Sequence, residues 1–382
     1  IARPGGHRDS AYLARLLAEK RITTAHFVPS MLQLFIEEFA QQEFPNLKRV
    51  ICSGETLPIH LQDRFQKLSS ASLYNLYGPT EASIEATAWL CRQDATLQTV
   101  PIGKPIYNMQ AFILDRYGAP VPIGVPGELY LGGVGLARGY LSQPGLTAQS
   151  FVPNPVIEQL PAIRDHVSKT VYRTGDLVRY RPDGNIEFLG RLDHQVKIRG
   201  FRIELGEIEA VLNRHLSVRE CVVVAVVVNG SDKSLVAYVT LNDYPAETDV
   251  TENLRQHVQA SVPDYMVPSR FIPLDAFPLT ASGKVDRKQL PSPNIPTTAP
   301  KELVLPATGT EAALLPLWQS ALGQPQVSVT VSFFELGGHS LVAIGLVTAI
   351  RQKLGLELPL ATLFTHSTIR ELATLIDRKS VV

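Results

Sequence analysis

Cysteine is scarce in this chain: three in 382 residues, at Cys52, Cys91 and Cys221. Their wide spacing makes no metal knuckle or redox pair, which excludes a disulfide-stapled scaffold and suits a reducing cytoplasm. Net charge is missing as well, since 36 basic side chains meet 36 acidic ones. A chain with no basic excess is not organised to hold nucleic acid or an anionic membrane surface. Long apolar runs are also absent. The most apolar stretch, Cys221–Val228, has the length of a buried strand and is far too short to cross a bilayer. No signal peptide and no internal repeat is visible. The first residue is Ile1 rather than Met, so the chain is expected to be a piece of a longer polypeptide. A hydrophobic fraction of 45% over this length allows two or three domains, each with its own core.

The apolar pattern divides the chain. Leu13, Leu16 and Leu17 share one face of a helix expected over Ser10–Glu19. Short strand-like runs at Arg49–Ser53, Ser72–Tyr77, Gln110–Leu114 and Gly127–Leu131 alternate with helical stretches, which predicts α/β layers. From Asn185 the pattern changes. Ile186–Leu189 and Val196–Ile198 read as strands, followed by a helix over Leu205–His215 and strands at Val222–Val228 and Ser234–Leu241. That reading gives a smaller α+β domain of about 100 residues. Pro291, Pro293, Pro296 and Pro300 then forbid helix and favour an extended linker. The last segment carries two capping-box signatures, Thr308–Glu311 and Thr368–Glu371, ahead of apolar periodic runs. Leu314, Leu315, Trp318, Leu372, Leu375 and Ile376 are its expected core.

Several short segments have the residue types that phosphate and nucleotide chemistry uses. Asn75-Leu76-Tyr77-Gly78-Pro79-Thr80-Glu81 turns sharply after a strand, bringing backbone and the Thr80 hydroxyl toward a phosphate while Glu81 offers oxygen to Mg²⁺. Asp176, in Tyr172-Arg173-Thr174-Gly175-Asp176-Leu177, can accept hydrogen bonds from a ribose diol. Gly190–Glu204 is dense in alternating charge and by itself reads as an amphipathic hairpin with solvated charges. Lys284 sits in a small-residue loop, Thr280-Ala281-Ser282-Gly283-Lys284. Leu336-Gly337-Gly338-His339-Ser340-Leu341 places one hydroxyl at the start of a helix, where unpaired N–H groups tolerate an attached phosphate. A serine there can equally serve as a plain helix cap.

Taken in order, these segments resemble the adenylation domain of nonribosomal peptide synthetases, within the acyl-adenylate-forming superfamily, followed by a peptidyl carrier protein. Gly127–Gly133 and Asp264–Pro268 match two more motifs of the adenylation family. The resemblance implies an α/β adenylate-forming core portion over 1–192, an α+β mobile subdomain over 193–290, a proline-rich linker over 291–306 and an all-α four-helix carrier over 307–378. The family's Gly- and Ser/Thr-rich phosphate loop and its ammonium-gripping aspartate have no counterpart here. The chain therefore resembles the back half of a core, and the 382 residues alone are expected not to form an adenylate.

The same resemblance implies a two-step reaction. An amino-acid carboxylate joins the α-phosphate of ATP, pyrophosphate leaves, and the acyl group passes to the carrier thiol. Lys284 matches the family lysine that neutralises charge in the first step, and Glu81 the magnesium ligand. Asp176 and Arg191 match ribose contacts, and Tyr77 matches a residue packing against adenine, with Gly78 and Thr80 in the same ATP-binding loop. Asp193 matches the hinge and Gly200 the thiol entry. Ser340 is the expected attachment point of 4'-phosphopantetheine. Substrate-pocket positions fall on His26, Ile51, Ser53, Leu76, Ile84 and Glu85, a small polar set resembling serine-activating domains, although those usually carry Asp where Glu85 stands. Serine or a close relative is the expected substrate, with a small basic amino acid next. Expected partners are a phosphopantetheinyl transferase, neighbouring condensation domains and, as for some members of the family, an MbtH-like protein, with no nucleic acid and no membrane. An acyl-CoA-ligase-like enzyme and a non-catalytic carrier or docking fragment are the alternatives.

Overall fold

A computed structural model describes the chain except 1–5, 7–9, 40–41, 95–96, 160–164, 166, 194, 199, 230–231, 243–249, 281–283, 293–302, 334–335, 337, 339, 357, 359–360 and 380–382. The expected proline-rich linker falls mostly outside the described residues. So do Gly337 and His339 of the serine motif, and Ala281–Gly283 of the lysine loop. The chain forms two compact units, Ile1–Ile203 and Glu204–Val382.

The first unit begins with α1 (Ser10–Glu19), β1 (Thr24–Phe27), α2 (Pro29–Glu38), β2 (Arg49–Cys52), α3 (Ile59–Leu68) and β3 (Ser72–Tyr77), then β4 (Thr87–Leu90) and β5 (Lys104–Pro105). The five strands form one sheet in the order β1-β2-β3-β4-β5. β1, β2 and β3 run parallel, with β4 antiparallel to β3. Helices α2 and α3 cross between the parallel strands, so Leu32, Phe35, Leu61 and Phe65 bury their apolar faces with Val50, Cys52 and Leu73 of the sheet. Parallel strands joined this way leave a crevice at their carboxyl ends, the usual place for a ligand.

A second sheet follows, made of β6 (Met109–Leu114), β7 (Gly127–Gly133), β8 (Phe151–Pro153), β9 (Thr170–Tyr180) and β10 (Ile186–Arg191), with α4 (Pro144–Ser150) and α5 (Pro155–Gln159) between strands. Its order is β10-β9-β7-β6, and β8 pairs with β9. Ile186–Leu189, which the pattern change assigned to the smaller domain, thus belongs to this sheet. Its alternation matches the neighbouring strand, with Ile186 opposite Tyr180 and buried in the same cluster as Val178. A two-stranded hairpin, β11 (Val196–Ile198) and β12 (Phe201–Ile203), closes the unit.

The second unit holds α6 (Leu205–Leu212), β13 (Val218–Asn229), β14 (Asp232–Leu241), α7 (Val250–Gln259) and β15 (Arg270–Leu274). β13 and β14 form a long antiparallel pair and β15 adds in parallel. Four helices complete it: α8 (Gly309–Leu322), α9 (Ser340–Leu354), α10 (Ala361–Thr365) and α11 (Ile369–Lys379). Trp318, Phe333, Leu346 and Leu372 are fully buried in their shared core. The cap at Thr368 is reciprocal: its Oγ1 accepts from the Glu371 N–H at 3.1 Å and the Glu371 carboxylate accepts from the Thr368 N–H at 3.1 Å. At Thr308 the hydroxyl accepts from the Glu311 N–H, but the Glu311 carboxylate reaches one residue further, to the Ala307 N–H at 2.6 Å.

Candidate functional site

The carboxyl ends of β1, β2 and β3 place His26, Ser53 and Tyr77 along one edge of the first sheet. The chain then doubles back after Gly78. A Cβ on Gly78 would stand 2.5 Å from the Ile84 carbonyl oxygen, and the Ala86 N–H donates to the Tyr77 carbonyl at 2.8 Å. Ser83 and Ile84 both adopt positive φ, at 60° and 73°. A β-branched residue rarely holds that conformation, so the tight return is fixed by its surroundings. The effect is to bring Glu81 and Glu85, on either side of the turn, into separate polar clusters.

In one cluster, Asp176 is buried and holds Tyr77 and Arg191. The Tyr77 hydroxyl donates to Asp176 Oδ2, and Arg191 Nη1 donates to Oδ1 at 2.8 Å. Arg191 also donates from Nε to Asp193 Oδ1 at 2.6 Å and from Nη2 to the Thr174 carbonyl at 3.0 Å. One guanidinium therefore ties the expected ribose contact to the expected hinge. Gly175 is required beneath it: its φ is 72°, and a Cβ would lie 2.8 Å from Arg191 Nη2. Burial raises the Asp176 carboxyl despite Arg191. Burial also pushes at Asp193, but the Arg191 guanidinium prevails and holds that carboxyl below its ordinary value.

Glu81 is buried and opens toward two further groups. Its Oε1 accepts from the Tyr140 hydroxyl at 2.6 Å and its Oε2 from Arg202 Nη1 at 2.7 Å. Burial would raise this carboxyl, yet the Tyr140 hydroxyl and Arg202 lower it overall. Thr80, next to it, is exposed. Lys197 Nζ lies 5.3 Å from the centroid of the Tyr77 ring, the ring expected to pack against adenine. Lys197 and Arg202 both belong to the charged stretch that reads by itself as a solvated hairpin, but neither is solvated that way. Their amphipathic strands turn these cations onto core groups. Sequence reasoning passes over Tyr140, Lys197 and Arg202 as site residues, and the alternating charge of Gly190–Glu204 is the one signal pointing to two of them.

A second polar cluster is separate from these. His26 Nε2 stands 2.8 Å from Ser53 Oγ, and the Ser53 hydroxyl in turn engages Glu85. Glu85 Oε2 is buried with no hydrogen-bond partner. Burial raises the Glu85 carboxyl, with Ser53 opposing. A hydrolytic triad would set the acid on the far nitrogen of the histidine; here the acid meets the serine, so the histidine is not oriented as a base by it. Ile51 and Leu76 are half-buried beside this cluster's strands, and Ile84 is 61% exposed.

In the second unit, Lys284 is exposed on a loop closed by the Thr280 N–H donating to the Lys284 carbonyl at 2.7 Å and by the Lys284 N–H donating to Thr280 Oγ1 at 3.2 Å. Ser340 is the first residue of α9. Just before it, the Gly338 N–H donates to the Phe333 carbonyl at 2.8 Å, and a Cβ on Gly338 would meet the Phe333 ring at 2.4 Å. Only glycine fits there, and the turn delivers the start of a fifteen-residue helix, whose free N–H groups suit a phosphodiester. Among the described residues no group of three or more His, Cys, Asp or Glu could hold a metal, so Glu81, expected as the magnesium ligand, would be a lone protein carboxylate. No helix among them is long and apolar enough to cross a membrane.

Comparison with known proteins bears on all three regions. Residues 1–141 match the AMP-binding enzyme family, 207–284 the AMP-binding enzyme C-terminal domain and 312–376 the phosphopantetheine attachment site. Tyrocidine synthase 3 of Brevibacillus parabrevis is 45% identical over 98% of this chain and 6% of its own length. Phosphinothricin tripeptide synthetase PhsB of Streptomyces viridochromogenes is 45% identical over 98% of the chain and 31% of its own length. The chain thus spans a minor part of the curated relatives it matches. Among solved structures, holo-PA1221, an NRPS protein containing adenylation and PCP domains, aligns with a TM-score of 0.74 at 28% identity, covering 96% of this chain and 59% of that one. The artificially fused NpsA-ThdA didomain of Klebsiella oxytoca aligns with a TM-score of 0.59 at 25% identity, over 96% of this chain and 59% of that one. With the AMP-binding, C-terminal and phosphopantetheine regions in that order on one chain, the protein belongs to the adenylation–carrier segments of nonribosomal peptide synthetases.

Proposed function

We propose that this segment activates an amino acid with ATP as the aminoacyl adenylate and passes the acyl group to the phosphopantetheine arm carried on Ser340. The observation that supports this reading best is the pair of polar clusters in the first unit, with Tyr77, Asp176 and Arg191 in one and His26, Ser53 and Glu85 in the other. In this reading Asp176 and Arg191 orient the ribose, Tyr77 and Gly78 shape the adenine side, Thr80 contacts phosphate, and Glu81 holds Mg²⁺. Lys284 neutralises the repulsion between carboxylate and α-phosphate, a task suited to a flexible ammonium. Asp193 is the hinge that separates the two half-reactions, and Gly200 lines the path of the thiol. The arm supplies that thiol as the acyl acceptor.

Serine, or a close hydroxylated relative, is the substrate we favour. Ser53 and His26 can pair with a side-chain hydroxyl, and a site built around such a hydrogen bond rejects analogues lacking it. Glu85 is the feature that keeps a small basic amino acid as the second choice, because a free buried oxygen suits an ammonium. A phosphopantetheinyl transferase would install the arm, and condensation domains would use the product. ATP–pyrophosphate exchange by the polypeptide carrying this chain, run with each amino acid in turn, tests the reading. Highest exchange with serine is expected; highest exchange with a large apolar amino acid would overturn the pocket assignment.

A further inference from the structure

Both oxygens of Glu81 are engaged within the first unit, Oε1 by the Tyr140 hydroxyl at 2.6 Å and Oε2 by Arg202 Nη1 at 2.7 Å. Arg202 lies on β12, and its other nitrogen, Nη2, donates to the Tyr172 hydroxyl at 3.2 Å. The same hairpin is fastened at its turn. The Gly200 N–H donates to Glu55 Oε1 at 2.8 Å, while Glu55 Oε2 accepts from the Ser30 N–H, in the first turn of α2, at 3.1 Å. Gly200 is pressed against Val28, where a Cβ would come within 2.7 Å of Cγ1. Two core carboxylates therefore hold the β11–β12 hairpin: Glu55 at the turn and Glu81 through Arg202.

We propose that Arg202 and a divalent cation compete for Glu81, so that Arg202 and Glu55 act as positioning residues that seat the Gly200 turn only when the cation is away. This rests on the reading of Glu81 as the metal ligand. A magnesium ion needs a carboxylate oxygen at close range in near-octahedral geometry, and each oxygen of Glu81 already accepts one hydrogen bond, from Tyr140 and from the Arg202 cation, which crowds that approach. A guanidinium and a dication on one carboxylate also repel each other, which makes Arg202 the partner that must give way. Metal binding thus removes one of the hairpin's two fastenings, and hairpin docking lowers metal affinity by the same factor. Glu55 makes the coupling separable, since it fastens the hairpin without touching Glu81.

The test measures manganese(II) binding by electron paramagnetic resonance, with α,β-methylene-ATP present, in parallel with hydrogen–deuterium exchange of residues 196–203. R202Q should bind manganese about fivefold or more tightly than the parent, the lower end of usual coupling between ligands. E55Q should also tighten it, because it loosens the hairpin at its other end, and manganese should speed hairpin exchange in the parent chain. R202K, which keeps a cation at that position, should fall between. Equal manganese affinity in the parent, R202Q and E55Q would overturn the competition while leaving Glu81 as a metal ligand. Manganese binding unaffected by E81Q would overturn the metal reading of Glu81, and the competition with it. Exchange by residues 196–203 that is unchanged in R202Q and E55Q would show that neither residue seats the hairpin.

Discussion

Two polar clusters in the first unit differ in how completely they satisfy themselves. Around Asp176 and Glu81, each carboxylate oxygen has a protein partner, drawn from Tyr77, Arg191, Tyr140 and Arg202. Around Ser53, one hydroxyl is shared between His26 and Glu85, and Glu85 Oε2 is left over. A fully paired buried network rigidifies its surroundings, whereas an unpaired buried oxygen costs stability until something donates to it. The first cluster is thus a preformed frame and the second is a site waiting for a donor. That contrast is what one expects if nucleotide geometry is common to a family and the acyl substrate is the variable part.

The contrast breaks most visibly at Asp176. Asp176→Asn turns one of two acceptor oxygens into an N–H donor set against the Tyr77 hydroxyl or Arg191, and the first unit should lose about 1–3 kcal/mol in urea unfolding. A loss under about 1 kcal/mol would mean the frame is not a unit. Asp193→Pro removes the second carboxylate on Arg191 and stiffens the expected hinge. In the parent enzyme it should keep pyrophosphate exchange and slow loading of the carrier by about tenfold or more, which is roughly 1.4 kcal/mol in barrier. Equal loss of both activities counts against the hinge.

In the His26–Ser53–Glu85 cluster the effects shrink. His26→Ala should reduce the preference for serine over alanine by about tenfold, the scale of one pocket contact. Unchanged preference would refute the pocket mapping. Glu85→Gln sharpens the comparison most finely. Burial raises the Glu85 carboxyl above its ordinary value, so its folded value exceeds the unfolded one. The charge therefore costs stability in full above the folded value, and the cost fades as pH falls from the folded value to the unfolded one and is gone below it. Glu85→Gln should stabilise the chain by up to about 1 kcal/mol at neutral pH, with the gap closing toward about pH 4 in thermal melts.

Much of the fold is readable from sequence where the signal is local. The helix at Ser10–Glu19 and the strand at Ser72–Tyr77 match the residues that periodicity marks. The capping signature at Thr368 closes as its spacing requires. The turn motif also draws attention to Glu81, the short motif around Gly175 to Asp176, and the family resemblance to Tyr77. What local pattern does not supply is pairing. Glu81 meets Tyr140 and Arg202 at sequence separations of 59 and 121 residues, and nothing near Glu81 announces either. The same holds for Glu55 and Gly200, 145 residues apart. Ile186–Leu189 is grouped by its pattern with the wrong body because an amphipathic strand looks alike in either sheet, and only its partner β9 decides.

The most direct test is the intact mass of the parent adenylation–carrier polypeptide, converted to its pantetheinyl form and given Mg-ATP with a mixture of amino acids. The account predicts a pantetheine increment on Ser340 and a further increment equal to a seryl group. A pantetheine increment with no acyl addition would contradict the loading function, and an acyl increment of another size would keep the function and reject serine.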